Sequence, residues 1–295
     1  MSASAHHGGI VVAVDGSPAA KVAADWAARN AAMRRLPLKL VLVLNPPVPM
    51  GFPEVPLPSS YFEWQETQGR KALDDALSVA EAAAGDAPIE VTSELTGGPT
   101  VPTLIDLSKT AQMIVVGCRG QGALARGLLG SVSSGLVHHA HCPVAVIHDE
   151  DPLMPHPSQA PVVVGIDGSP ASELATSIAF EEASFRGVDL VAVHAWNDSE
   201  LFEVPGVDWS ALQSAGEEIL SERLAGWRER YPDVAVRRVV VADKVAKQLV
   251  EQSESAQLLV VGSRGRGGFA ELLLGSVSAA VVNTARMPVI VARGS

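Results

Sequence analysis

Gly117 and Gly120, followed after nine residues by Gly130-Ser131, recur in the same spacing as Gly262 and Gly265 followed by Gly275-Ser276. Glycines leave backbone amides bare, so N–H groups can close around the oxygens of an anion. Ser131 and Ser276 stand where a helix would begin, and there free amides and the positive end of the helix dipole favour negative charge. Ser133 and Ser278 offer a further hydroxyl each, and Arg119, Arg126, Arg264 and Arg266 put positive charge on the same loops. Asp15, in Asp15-Gly-Ser-Pro18, and Asp167, in Asp167-Gly-Ser-Pro170, supply carboxylate acceptors suited to ribose hydroxyls or an adenine amino group. Taken singly, each feature has a plainer reading. The glycines could only turn the chain, Ser131 could only cap a helix, and Asp-Gly-Ser-Pro is turn chemistry in its own right. Two copies at one spacing favour a pair of phosphate-binding loops.

Other chemistries fit less well. Gly120-x-Gly122-x-x-Ala125 and Gly265-x-Gly267-x-x-Ala270 match a loose dinucleotide fingerprint, but no acidic residue follows about 20 positions on. The chain has no Gly-Lys dipeptide and hence no Walker A lysine. His138, His139, His141 and Cys142 resemble a metal cluster, yet Asn283, Thr284, Arg286 and Met287 stand in their places in the second half. A histidine-rich helix end explains them better, and neither a metal nor a catalytic residue is expected.

The elements that must carry these residues also repeat. Ile10–Val14 returns as Val162–Ile166, and Pro143–Ile147 as Pro288–Ala292. Within each half, short apolar strands alternate with helical stretches, one of which is expected to run unbroken to about Arg230. Such alternation implies crossover connections and a parallel sheet covered on both faces, an α/β doubly wound fold. The proline- and charge-rich stretch around 151–160 reads as a linker between domains 1–150 and 161–295. In an open parallel sheet the ligand sits beyond the carboxyl ends of the strands. The ends of the first and fourth strands would bring Asp15 to Gly117, and Asp167 to Gly262.

A length of 295 residues suits two domains of about 150. The net charge of -11 argues against a nucleic-acid surface. Two cysteines, both in the first half, make no disulfide framework. No apolar run approaches the roughly 18 residues that cross a bilayer, and residues 1–9 lack the apolar core of a secretory signal. A cytoplasmic protein with no membrane partner is expected.

With these residues in view, the chain resembles tandem universal stress proteins over nearly all of both halves. The glycine spacing matches the G-x2-G-x9-G-S/T of that family's nucleotide-binding members, and Asp15 and Asp167 match its strand-one aspartate. The resemblance implies Rossmann-like domains of strand order 3-2-1-4-5 and one ATP per domain, with Mg2+ as an optional companion. It places the amides of Ser131, Val132, Ser133, Ser276, Val277 and Ser278 at the phosphates. A backbone contact to adenine would fall near Asn45 and Ala195. Pairing through the fifth strand is implied too, and the apolar edges Val144–Ile147 and Val289–Val291 give it a physical reason. The expected function is that of an ATP-binding regulator of growth or survival under stress, a homodimer that addresses an unidentified protein partner. The alternative is a slow ATPase or adenylyl-transferring enzyme on the same sheet. Cys118 in the first loop, opposite Ser263 in the second, and a proline-rich wall at Pro46–Pro58 are expected to set the two sites apart.

Overall fold

The structure, a computed structural model, describes residues 8–45, 58–120, 129–148, 159–196, 209–265 and 273–294. The chain divides between residues 149 and 150 into two compact units.

The first unit runs β1 (Ile10–Ala13), α1 (Pro18–Arg34), β2 (Leu38–Leu44), α2 (Ser59–Ala84), β3 (Val91–Gly97), α3 (Thr100–Ser108), β4 (Met113–Gly117), α4 (Ser131–His139) and β5 (Val144–Ile147). Its strands are parallel in the order β3-β2-β1-β4-β5, with Ile10 opposite both Leu38 and Met113. Right-handed crossovers place α1 and α2 on one face and α3 and α4 on the other. The central strands are therefore buried on both sides, and Ile10, Val12, Ile114 and Val115 have no exposure. Helix α1 starts cleanly because Ser17 accepts the amide proton of Ala20 at 3.2 Å and Pro18 follows with its φ preset. Its inner face is alanine (Ala20, Ala23, Ala24, Ala27, Ala31), which lets helix and sheet approach closely.

The second unit repeats the plan with β6 (Val162–Gly165), α5 (Pro170–Arg186), β7 (Leu190–Trp196), α6 (Trp209–Leu224), α7 (Trp227–Arg230), β8 (Val236–Ala242), α8 (Val245–Ser253), β9 (Leu258–Gly262), α9 (Ser276–Thr284) and β10 (Val289–Ala292). Its order is β8-β7-β6-β9-β10, again parallel. One helix departs from expectation. The run read as continuous to Arg230 breaks at Gly226, which adopts φ 80° and begins the separate α7. Beyond the break, Phe180, fully buried on α5, stacks on Trp227 and Tyr231 at 5.6 Å each. The first unit has alanine, Ala28, where Phe180 stands in the second, and its α2 runs unbroken.

Candidate functional site

Strand order in each sheet reverses between the first and fourth strands of the unit, and that switch point is where open α/β sheets hold ligands. In the first unit a cleft of about 790 Å³ opens there, a size usual for a small-molecule site. Asp15 and Gly16 follow β1 at its centre. Val116, Gly117, Arg119 and Gly120 lie to one side, facing Gly130, Ser131, Val132 and Ser133 at the start of α4. On the other side of β1 come Val41–Asn45 and then α2. Asp15, Asn45, Gly117, Arg119, Gly120, Gly130, Ser131, Val132 and Ser133, all expected from sequence, thus line one cavity.

The glycines differ in what they do. Asp15 turns one carboxylate oxygen back to accept the Ser17 amide proton at 2.9 Å, and Asp167 does the same with Ser169. The other oxygen lies over the loop, 2.6 Å from where a Cβ on Gly120, or on Gly265, would stand. Gly117 and Gly262 are required for another reason. Their missing Cβ would press on the backbone of Ala19 and Ala171 at 3.0 and 2.9 Å, so these glycines seat a helix against a strand. This packing role stands beside the loop role expected of them from sequence. Gly130 and Gly275 have ordinary φ of -66° and -73°, and a Cβ there would meet its nearest neighbour only at 3.5 and 3.4 Å. Among the described residues nothing bars a side chain at either.

The serines also divide. The buried Ser133 hydroxyl lies 3.0 Å from the carbonyl oxygens of Cys118 and Gly130, and Ser278 donates to Gly262 at 2.6 Å. A hydroxyl has one proton, and phosphate oxygens need donors. Ser133 and Ser278 therefore lock the loop onto the helix, a role the sequence did not announce. The Gly130 and Gly275 amides donate to the Cys118 and Ser263 carbonyls at 2.8 Å. The first turns of α4 and α9 carry no side-chain cap, whereas Ser17 and Ser169 cap α1 and α5. Ser131 and Ser276, at these uncapped starts, are exposed.

In the second unit Asp167, Gly262, Arg264, Gly265, Gly275, Ser276, Val277 and Ser278 repeat this arrangement, and the Ser169 hydroxyl donates to the Arg264 carbonyl at 3.2 Å. Arg293, half-buried beyond β10, has its pKa lowered, first by burial and then by Arg264. The strand register corrects one expectation. Ala13 pairs with Val41 and Gly165 with Val193, so the counterpart of Ala195 is Val43, and that of Asn45 is Asn197. Asn197 lies outside the described residues. The same register sets His194 in the place of Leu42; it is buried, and its Nδ1–H donates to the Ile166 carbonyl at 2.7 Å.

Trp64, Gln65, Gln68, Lys71 and Asp75 on α2 also line the first cleft, and no motif in the sequence announces them. They share one helical face by their spacing, but only the packing of α2 beside β2 shows which way it looks. Among the described residues no three His, Cys, Asp or Glu side chains are placed to hold a metal ion. Cys142 is buried, and that burial pushes its thiol up to about 12, while His138 lies 2.7 Å from the Ser134 carbonyl. Arg126, Arg266, Gly122, Gly267 and residues 46–57 and 151–158 lie outside the described residues.

The sequence pattern of the universal stress protein family matches residues 8–148 and again 160–293. The chain belongs to the universal stress protein family. A universal stress protein of Mycobacterium tuberculosis is 60% identical over 288 residues, 97% of each chain. One of Mycobacterium bovis is 56% identical over 296 residues, the full length of both. Among solved structures, a universal stress protein from Archaeoglobus fulgidus superposes with a TM-score of 0.69 at 21% identity, covering 97% of this chain and 96% of its own. That likeness concerns the fold. No helix among the described residues is long and apolar enough to cross a membrane.

Proposed function

We propose that this universal stress protein is an ATP-binding regulator with one site per unit, its nucleotide-loaded state controlling growth or survival under stress. The observation that carries this reading is the pair Gly130 and Gly275. Both precede a helix without a side-chain cap, both face the aspartate-pinned loop, and a Cβ at either would meet no atom of the described residues closer than 3.4 Å. A phosphate seated on the first-turn amides supplies a reason for glycine, because a Cβ at the cap would crowd it. In the first cleft the base then lies toward β2, the ribose by Asp15 and the phosphates between Gly120 and α4. When bound, ATP supplies the charge that the bare helix end lacks, and Mg2+ would accompany its phosphates.

The protein acts through binding rather than turnover. Metal-assisted hydrolysis needs a carboxylate free to hold the ion and a group to position water. Of the two carboxylates on the first cleft, Asp15 is tied to Ser17 and Asp75 pairs with Lys21 at 3.0 Å. Ligand bound only to the native state stabilises it by about 2.7 kcal/mol at a hundredfold excess over Kd, so occupancy alone can report adenylate status. A homodimer in the cytoplasm, read by a protein partner, completes the proposal.

Calorimetry on nucleotide-free protein tests it. Two ATP molecules should bind per chain, Gly130→Ala or Asp15→Asn should leave one, and Gly275→Ala or Asp167→Asn should leave the other. Unchanged stoichiometry and affinity in all four variants would remove the assignment.

A further inference from the structure

We infer that Trp64 is the base-recognition residue of the first site, a stacking platform whose register position on α6 holds no aromatic residue. The inference rests on the nucleotide reading above and deepens it. Trp64 lines the cleft, yet its side chain is 58% exposed, an unusual state for an indole with a large apolar face. It is held in place on both sides. Tyr61 packs against it with ring centroids 6.1 Å apart, and the neighbouring Gln65 amide donates to the Asn45 carbonyl at 3.2 Å, clamping α2 to the end of β2. One turn on, Gly69 seats α2 so tightly that a Cβ there would meet Leu44 at 3.0 Å and Leu95 at 3.1 Å. The indole is therefore a pre-positioned flat surface, not a mobile side chain that happens to touch the cleft.

Its location decides what it would meet. Strand order puts β2 and the phosphate loop on opposite sides of β1. A nucleotide with phosphates at α4 and ribose at Asp15 must extend its base toward β2 and α2. A purine has the larger π-face, and stacking on an aromatic ring is sequence-tolerant but scales with that face.

The second unit is built differently at this point. The buried glycine of α6 is Gly216, followed by buried Leu220, as Gly69 is followed by Leu73 in α2. Five residues before Gly69 stands Trp64, and five before Gly216 stands Ala211. Gln68 and Lys71 become Ala215 and Glu218 in the same register, so a neutral and a basic group give way to a methyl and an acid. The first site should accordingly choose its base through a contact that this position of α6 does not repeat.

The test uses the full chain with the second site silenced by Asp167→Asn and Gly275→Ala, titrated with ATP, CTP and inorganic tripolyphosphate. Trp64→Ala should weaken ATP about tenfold and CTP less, while Trp64→Phe keeps most of the affinity. Tripolyphosphate, which has no base, should bind all three proteins alike. ATP should also quench a tryptophan emission that is missing from Trp64→Phe. ATP affinity unchanged in Trp64→Ala, or tripolyphosphate lost in step with ATP, overturns the stacking role while leaving the nucleotide reading in place. Failure of the parent to bind ATP at all overturns both.

Discussion

The second carboxylate oxygen of Asp15 occupies the space in which Gly120 would otherwise carry a side chain, at 2.6 Å, and Asp167 stands over Gly265 at the same distance. Acid and glycine are therefore one unit, not two motifs. The glycine makes room for the acid, and the acid, already bound to the amide two residues on, is pointed at the loop. This coupling separates the three glycines of each signature by what their loss should do.

Gly117→Ala drives a methyl into the backbone of α1, so it should lower stability by about 1–3 kcal/mol in the absence of nucleotide. Gly130→Ala meets its nearest described atom only at 3.5 Å and has a φ that alanine accepts, so it should be neutral or stabilising by up to about 1 kcal/mol, while ATP binding at that site is lost. Thermal melting of nucleotide-free protein, compared with calorimetric ATP affinity, separates the two. If Gly130→Ala melts as early as Gly117→Ala, the N-cap glycine is structural after all.

Glu182 has no exposed surface and depends on Arg186, one turn later on α5, whose Nη2 donates to it at 2.9 Å and whose Nη1 donates to Gln257 at 2.9 Å. Arg186→Met leaves a carboxylate buried without its main cation, which should cost about 3–5 kcal/mol. Glu182→Leu combined with Arg186→Met removes both charges and should recover most of that loss. Urea unfolding of the single and double variants measures it; equal destabilisation in both would mean that packing, not charge, sets the cost.

Cys142 gives the protein a weakness in alkali. Its thiol is pushed up to about 12 by burial, whereas a thiol in the unfolded chain titrates near ~8.5. Between those values the unfolded chain has released a proton that the folded chain keeps, so stability falls as pH rises. The contribution is intact below the unfolded value, and the slope reaches about 1.4 kcal/mol per pH unit. Cys142→Ala should lose some packing at neutral pH but decline less steeply above about pH 9. Urea midpoints followed against pH would show the curves converging; parallel curves would contradict the assignment.

Much of this protein was legible in its residues. Both glycine loops, both aspartates, the strand–helix alternation and the duplication are local signals. A glycine spacing or an amphipathic period needs only its own neighbours to be recognised, and family membership follows from the same signals. The packing between elements was not legible. Gly226 alone does not announce that a helix breaks there, because an isolated glycine is tolerated inside a helix. The offset between Asn45 and Ala195 became visible only when strand register aligned the two sheets.

The sequence by itself determined which residues could meet a phosphate, since bare amides and an acid at a strand end are properties of short segments. Tertiary structure alone decided which glycines serve the fold, that Ser133 turns its proton inward, and that Trp64 faces the cleft. The physical reason is that these roles depend on which atoms come within a few ångströms across the sheet. That distance is set by the packing of whole helices and strands, not by any residue's neighbours in the chain.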